Sequence, residues 1–237
     1  MAGSPGNPVT RVVVVIPAHD EREGIRACVD SVLAAAGEVD VPVTVRVVLD
    51  TCTDGTGEHV PDGVETRTVA VRNVGAARAA GVDDADGGAD VWLAHTDADT
   101  IVGAEWLRRQ LAHADAGADA VAGTIHVRDW SHRPDGVRDL HDRAYTHADG
   151  HGHVHGANLG VRGSAYAAVG GFRPLPESED VDLVARLDAA GATVVWAADC
   201  PVVTSSRVSR RTGGGFSGHL DSLTPAAEEP FQSKGTA

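Results

Sequence analysis

The sequence predicts an α/β fold with a mostly parallel central sheet and helices on both faces. Three observations predict it. Apolar, β-branched runs of strand length alternate with stretches of helical periodicity. The strand-like runs are apolar at consecutive positions rather than alternate ones, which marks strands buried on both faces. Each of the first four runs also opens into a polar turn, and three of these turns are acidic.

The first strand is "TRVVVVIP", 10–17, followed by a helix over 21–36 with Ile25, Val29, Val32 and Leu33 at helical spacing. "VPVTVRVVLD", 41–50, is the second strand and "TGEHV" a short helix. A third strand at 66–71 leads into the Ala-rich helix of "NVGAARAAGVDDA". "DVWLAH" at 90–95 is the fourth strand, with a helix from about Gly103 to Ala114 and another strand, "ADAVAGTIHV", at 118–127. Strands separated by helices of this length imply βαβ units. Beyond Val127 the periodicity weakens, and helices are expected at 136–148, 163–169 and 179–190, with a strand at 193–197. From 213 to 237 the Gly-, Ser- and Pro-rich composition predicts a flexible C-terminal tail.

Composition narrows the function classes. The 237 residues are 42% hydrophobic, enough for a sizeable core. A net charge of −14, from 34 acids against 20 bases, argues against a nucleic-acid-binding face. Cys28, Cys52 and Cys200 lack metal-type spacing and point to a reducing compartment. No secretory signal is evident, and "VVVVI" at 12–16 is too short to span a bilayer. A cytoplasmic protein without an integral membrane segment is expected.

In an open parallel sheet, ligands bind beyond the carboxyl ends of the strands. Those ends are "PAHDE" at 17–21, "LDTCTDGT" at 49–56, "RNVGAAR" at 72–78 and "HTDADT" at 95–100, and all should face one crevice. Within them, Asp97 and Asp99 stand one residue apart after a buried run. Two such charges repel, so they form either a solvated turn or a cation site.

These segments resemble the family-2 glycosyltransferases of the GT-A, or nucleotide-diphospho-sugar transferase, fold. "IPAHDE" matches the family's opening turn, "LDTCTDGT" its acidic Thr/Ser-rich turn, and "NVGAARAAG" a shortened form of its next element. "DAD", 97–99, is the D-x-D motif. "GANLGVRGSAYAAVGGF", 156–172, resembles the segment lining the acceptor and donor-sugar side, and "ESEDVDLVARLDAAG", 177–191, its acidic helix start. The motifs occur in family order over roughly residues 10–200. The resemblance implies a single GT-A-like domain at 9–212, with a nucleotide-binding half about 9–127 and an acceptor half about 128–212.

The implied activity is transfer of a sugar from a UDP- or GDP-type donor to a small-molecule acceptor, with inversion. Charge building on the leaving diphosphate calls for a divalent cation, Mg2+ or Mn2+, on oxygen ligands. The resemblance makes Asp99 the first metal ligand, with Asp97 binding a ribose hydroxyl or the metal through water. It places Pro17, Ala18, His19, Glu21, Asp50, Arg78, Ala157, Asn158, Arg207 and Arg210 among the donor contacts. Glu21 reads equally as a charge in the first turn of a helix, and Asp54 as a turn or cap residue. Asp180 fits the position of the general base, and Glu179 that of an acceptor-orienting group, with exchanged roles possible. Ser178 is placed as the cap of the same helix.

Two segments depart from the pattern. "SSRVSRRTGGGF", 205–216, lacks the family's "Q-x-x-R-W", which leaves the third metal ligand open, with His219 a candidate. His147, His151, His153 and His155 read either as a zinc site or, because glycines interrupt them, as a loop closing over the acceptor. Competing functions are a nucleotidyltransferase of related fold, a non-catalytic nucleotide-sugar-binding protein and a zinc hydrolase. "PAHDEREG" is acidic where a nucleotidyltransferase is Gly-rich and basic.

Overall fold

The computed structural model describes residues 7–207 and 215–228. Its strands are β1 (Arg11–Ala18), β2 (Val43–Asp50), β3 (Glu65–Val69), β4 (Val91–His95), β5 (Ile101–Val102), β6 (Ala120–Val127), β7 (Leu159–Arg162) and β8 (Val194–Thr204). The helices are α1 (Ile25–Ala36), α2 (Val74–Ala80), α3 (Trp106–Asp115), α4 (Val137–Ala144), α5 (Gly163–Ala168), α6 (Glu179–Ala189) and α7 (Gly215–Glu228). They build the α/β architecture that the sequence predicts.

One eight-stranded sheet runs in the order β3-β2-β1-β4-β7-β6-β8-β5. β1 pairs in parallel with β2 and β4, and β2 with β3. β7 runs antiparallel between β4 and β6, and β5 antiparallel against β8. Alternate residues of β1 serve the two faces. Val12, Val14 and Ile16 join the core formed with α1 and α3, while Val13 and Val15 join the core formed with α2, α5 and α6. A helix layer on each face thus leaves the strand ends as the open edge of the sandwich.

The buried stripe of α1 is Ile25, Cys28, Val29, Val32 and Ala35. Leu33, placed on that stripe by the sequence, is exposed because it lies off the 3.6-residue repeat. α2 starts where the Asn73 side chain accepts the Ala76 N–H at 2.8 Å, satisfying one of the free donors of its first turn. α2 approaches the segment before α6 so closely that a Cβ on Gly75 would lie 2.2 Å from the Arg173 carbonyl oxygen. Among the described residues, no helix is long and apolar enough to cross a membrane.

Four features differ from the sequence reading. β5 and β7 were not expected: β5 has two residues, and β7 has four inside a Gly-rich segment, too few for a periodicity to register. β8 extends well past Ala197, to Thr204. The expected flexible tail contains α7, whose Leu220 is fully buried and whose Asp221 pairs with Arg133. Apolar anchorage outweighs the helix-weakening composition there. At Ser178 the backbone is left-handed, φ 60°, and the side chain makes no capping hydrogen bond.

The Gly75 contact yields a stability prediction. Gly75→Ala should lower stability by about 1–3 kcal/mol, because backbone on both sides must move. Urea unfolding measures it, and an unchanged midpoint would mean that the two elements are not packed this tightly.

Candidate active site

The strand ends turn through strained backbone. Asp20, Thr51 and Arg72, just beyond β1, β2 and β3, all adopt positive φ, between 48° and 55°. Non-glycine residues take this conformation at a cost, and such positions cluster at functional sites. Side-chain bonds hold the turns. Asp20 accepts the Thr53 N–H at 2.7 Å, and Asp54 accepts the N–H groups of Arg22 and Thr56 at 3.0 and 2.9 Å. Asp54 is therefore a turn residue, its carboxyl at about 2: hydrogen bonds from Thr56 and Arg22 outweigh the opposing effect of burial.

Asp50, expected among the donor contacts, is committed to its own loop. Its Oδ1 accepts from the N–H groups of Val71 and Arg72 at 2.9 Å each, and Oδ2 from Asn73 N–H at 3.0 Å. Burial raises its carboxyl pKa, but these bonds carry it below the usual value. His19 donates from Nδ1 to the Asp50 carbonyl at 2.5 Å, joining the first two strand ends. Pro17 and Ala18 lie at the end of β1, where the Ala18 carbonyl accepts the Cys52 thiol at 3.3 Å.

The centre of the cleft is Arg78. This side chain comes from α2, is 1% exposed, and reaches two carboxylates from distant parts of the chain. Nη2 donates to Asp97 Oδ1 at 2.5 Å and Nε to Glu179 Oε1 at 3.3 Å. The Phe172 ring lies 5.8 Å beneath the guanidinium, and Nη1 has no partner among the described residues. Gly156 packs against it so closely that a Cβ there would lie 2.5 Å from Nη2.

Asp180 adjoins this cluster at the start of α6. Its Oδ2 accepts the Gly156 N–H at 2.6 Å and Oδ1 its neighbour Val181 N–H at 2.8 Å, which fixes the plane of the carboxylate. Burial raises the carboxyl pKa of both Asp180 and Glu179 against the opposing pull of Arg78. A carboxylate raised in this way is a better proton acceptor near neutrality.

Asp99 has a different partner. Arg207 sends Nη2 to Glu21 Oε2 at 2.6 Å and lies 3.7 Å from Asp99 Oδ2. Burial, then the charges of Asp97 and Glu21, push the Asp99 carboxyl up to about 7. Oxygen donors that repel one another and already hold a guanidinium fit a hard divalent cation. Among the described residues no three ready-made ligands converge. Asp99 and Asp97 would thus leave most positions to phosphate oxygens and water, as Mg2+ sites commonly do.

The structure therefore brings Glu21, Arg78, Asp97, Asp99, Glu179, Asp180 and Arg207 together. Arg210 lies outside the described residues. Asn158 does not join the cleft. It is fully buried, donating to the carbonyls of Thr124 and Cys200 at 2.8 Å each and accepting from Trp106 Nε1 at 2.8 Å. It is a core amide tying β6, α3 and β8, and Ala157 beside it packs into the apolar core. Buried polar groups need such partners, and a saturated amide has no bond left for a sugar. Phe172 and Gly156 were missed as individual positions, although the segment containing them was singled out.

The histidines form a packed stack. The Tyr145 ring stacks on His153 at 4.1 Å, His153 on His151 at 5.5 Å, and His147 on His126 at 4.6 Å. Two rings are fixed as neutral tautomers: His153 Nε2 accepts the Thr146 N–H, and His151 Nδ1 accepts the His153 N–H. His219, a candidate late metal ligand, instead packs on Phe216 and His141. A zinc site has no support among the described residues.

The sheet order, with its acidic strand ends, is that of a GT-A-like fold. The family model "Glycosyl transferase family 2" matches residues 13–167, and the chain belongs to that family of glycosyltransferases. Comparison with curated proteins finds no match. Similar solved structures show the same fold. S. aureus TarS 1–349 in complex with UDP-GlcNAc is 15% identical, with a TM-score of 0.62 over 87% of this chain and 61% of that one. The mannosyltransferase PcManGT from Pyrobaculum calidifontis, in complex with GDP-Man and Mn2+, is 18% identical, with a TM-score of 0.60 over 94% and 64%. GalNAc-T7 with UDP, GalNAc and Mn2+ is 14% identical, with a TM-score of 0.60 over 87% and 46%. The chain thus spans about three fifths of the first two of these structures.

The histidine stack makes stability pH-dependent. Burial, then neighbouring rings, push His141 down to about 4 and His155 to about 3. Unfolded histidines titrate near 6.5, so between about 4 and 6.5 the unfolded chain binds more protons and stability falls as pH falls. The Tm should drop by several degrees from pH 7 to pH 5. A His141→Phe/His155→Phe variant should show a shallower drop, and an equal slope would refute this origin.

Proposed function

We propose that this chain is a metal-dependent glycosyltransferase that moves a sugar from a UDP- or GDP-type donor to a hydroxyl of a small-molecule acceptor, with inversion. The observation that carries the reading is the convergence of Arg78, Asp97 and Glu179, with Asp180 beside them, at the mouth of the sheet. The nucleotide-sugars named with TarS and PcManGT, and the Mn2+ named with PcManGT and GalNAc-T7, support it. A cytoplasmic setting belongs to the same reading, supported by three cysteines that are free.

When bound at Asp99 and Asp97, Mg2+ or Mn2+ supplies charge neutralisation for the diphosphate leaving group. The chain's own residues do the rest. Asp180, oriented by the N–H groups of Gly156 and Val181, takes the acceptor hydroxyl proton as that oxygen attacks the anomeric carbon in line. Glu179 holds Arg78 in place, and Arg78 holds Asp97 at the D-x-D turn. Asp50 shapes the loop from Val71 to Asn73 that borders the nucleotide side.

A thermal-shift screen tests the donor class. UDP- or GDP-type ligands should raise the Tm only with Mn2+ present, whereas stabilisation by nucleoside triphosphates alone would favour a nucleotidyltransferase. Asp180→Asn should cut kcat by about two to four orders of magnitude while leaving that shift intact. Retained turnover in this variant would remove Asp180 from the role of base.

A further inference from the structure

Arg133, in the connection between β6 and α4, is 8% exposed and was not singled out by any sequence motif. Its Nε donates to the Ser206 carbonyl at 2.7 Å. Nη2 donates to Ser217 Oγ at 2.9 Å and to the carbonyls of Arg207 and Ser217 at 3.4 Å each. Nη1 pairs with Asp221 of α7. The Ser206 hydroxyl donates to the Asp129 carbonyl at 2.6 Å, so the same backbone is held from a second side. One buried guanidinium therefore fixes residues 206–207 and joins them to α7.

From this fixed backbone, the Arg207 side chain extends to Glu21 and Asp99. Its guanidinium stands where a cation on Asp99 would be neutralised by the same oxygens. Two positive groups so close on one carboxylate repel. We propose that Arg133 is a positioning residue that holds Arg207 on Glu21 and Asp99 as an internal counter-cation. A divalent cation must displace Arg207, which is then free to pair with the diphosphate that arrives with that cation. This rests on the reading of Asp99 as the cation ligand.

The exchange makes two affinities move in opposite directions, which a merely structural role does not do. In Arg207→Gln, Mn2+ alone should bind about tenfold tighter, since a competing charge beside Asp99 is gone. GDP or UDP, measured at saturating Mn2+, should bind about tenfold more weakly, since one charge-assisted contact is lost. Arg133→Gln should shift both affinities with the same signs and smaller size, and add little to Arg207→Gln in the double variant. Asp221→Asn, at the half-exposed end of the latch, does the same more mildly and serves if Arg133→Gln does not fold.

Mn2+ binding is read by electron paramagnetic resonance titration of the full chain, diphosphate binding by calorimetry, and folding by circular dichroism. Unchanged or weaker Mn2+ binding in Arg207→Gln, with binding abolished by Asp99→Asn, would overturn the exchange and leave the metal reading standing. Tighter binding in Arg207→Gln with no effect of Arg133→Gln or Asp221→Asn would overturn the positioning role of Arg133. Absence of Mn2+ binding in the wild type and every variant, with or without diphosphate, would overturn the metal reading and this inference with it.

Discussion

The buried charge of Arg78 constrains the rest of the site. Removing a guanidinium from water costs several kcal/mol, and the cost is offset only when ionised partners stand close with good geometry. Asp97 and Glu179 are those partners, one after β4 and the other at the start of α6. The requirement thereby fixes α2, the D-x-D turn and α6 relative to one another. Small residues make the approach possible: Gly75 lets α2 meet the backbone before α6, and Gly156 lies flat against the guanidinium. Glu179 stays beside Arg78 although burial pushes its carboxyl upward. A side chain with unequal demands on it is held there by the charge it serves. Elements from both halves of the chain thus share one electrostatic unit.

Strain at the strand ends works in the same direction. Three successive parallel strands hand over to left-handed, non-glycine residues held by carboxylates: Asp20 accepts a backbone N–H, Arg72 donates its own to Asp50, and the Thr51 hydroxyl donates to Asp50. Such bonds compensate a conformation that would otherwise relax. They also explain why the acids of these turns differ in role. Asp20, Asp50 and Asp54 accept backbone N–H groups and shape loops, while Asp97 and Asp99 meet guanidinium groups and face the cleft. Residue type alone does not separate the two sets.

That difference marks the limit of what the sequence discloses. β1, β2, β4 and α1 were legible because burial on two faces or along one stripe leaves an unambiguous apolar pattern. The cleft was legible because strand ends are a topological consequence of a parallel sheet. Asn158 was misplaced because a buried amide and a ligand-binding amide look alike in one dimension. Its saturation depends on Thr124, Cys200 and Trp106, all more than 30 positions away. α7 was hidden by its glycines and proline, since its stability comes from Leu220 and the Arg133 contact rather than from local propensity. Arg133 itself carries no motif, and its importance exists only in the packed chain.

The charge balance of the cleft unites these observations. Glu21, Asp97, Asp99, Glu179 and Asp180 converge on a pair of arginines, Arg78 and Arg207, in a chain already at −14. The excess is visible in Asp99, whose carboxyl moves to about 7 although Arg207 lies close by. A diphosphate entering such a cleft unaccompanied would meet net repulsion in a partly desolvated space, where charges are poorly screened. A divalent cation on Asp99 would offset that repulsion, so under the proposed function an anionic donor is favoured when a cation accompanies it. The arginine on Asp99 then offsets part of that negative charge in the resting cleft. Acidity, which argues against a nucleic-acid surface, would in this cleft make recognition of an anion conditional on a metal, as the proposed function requires.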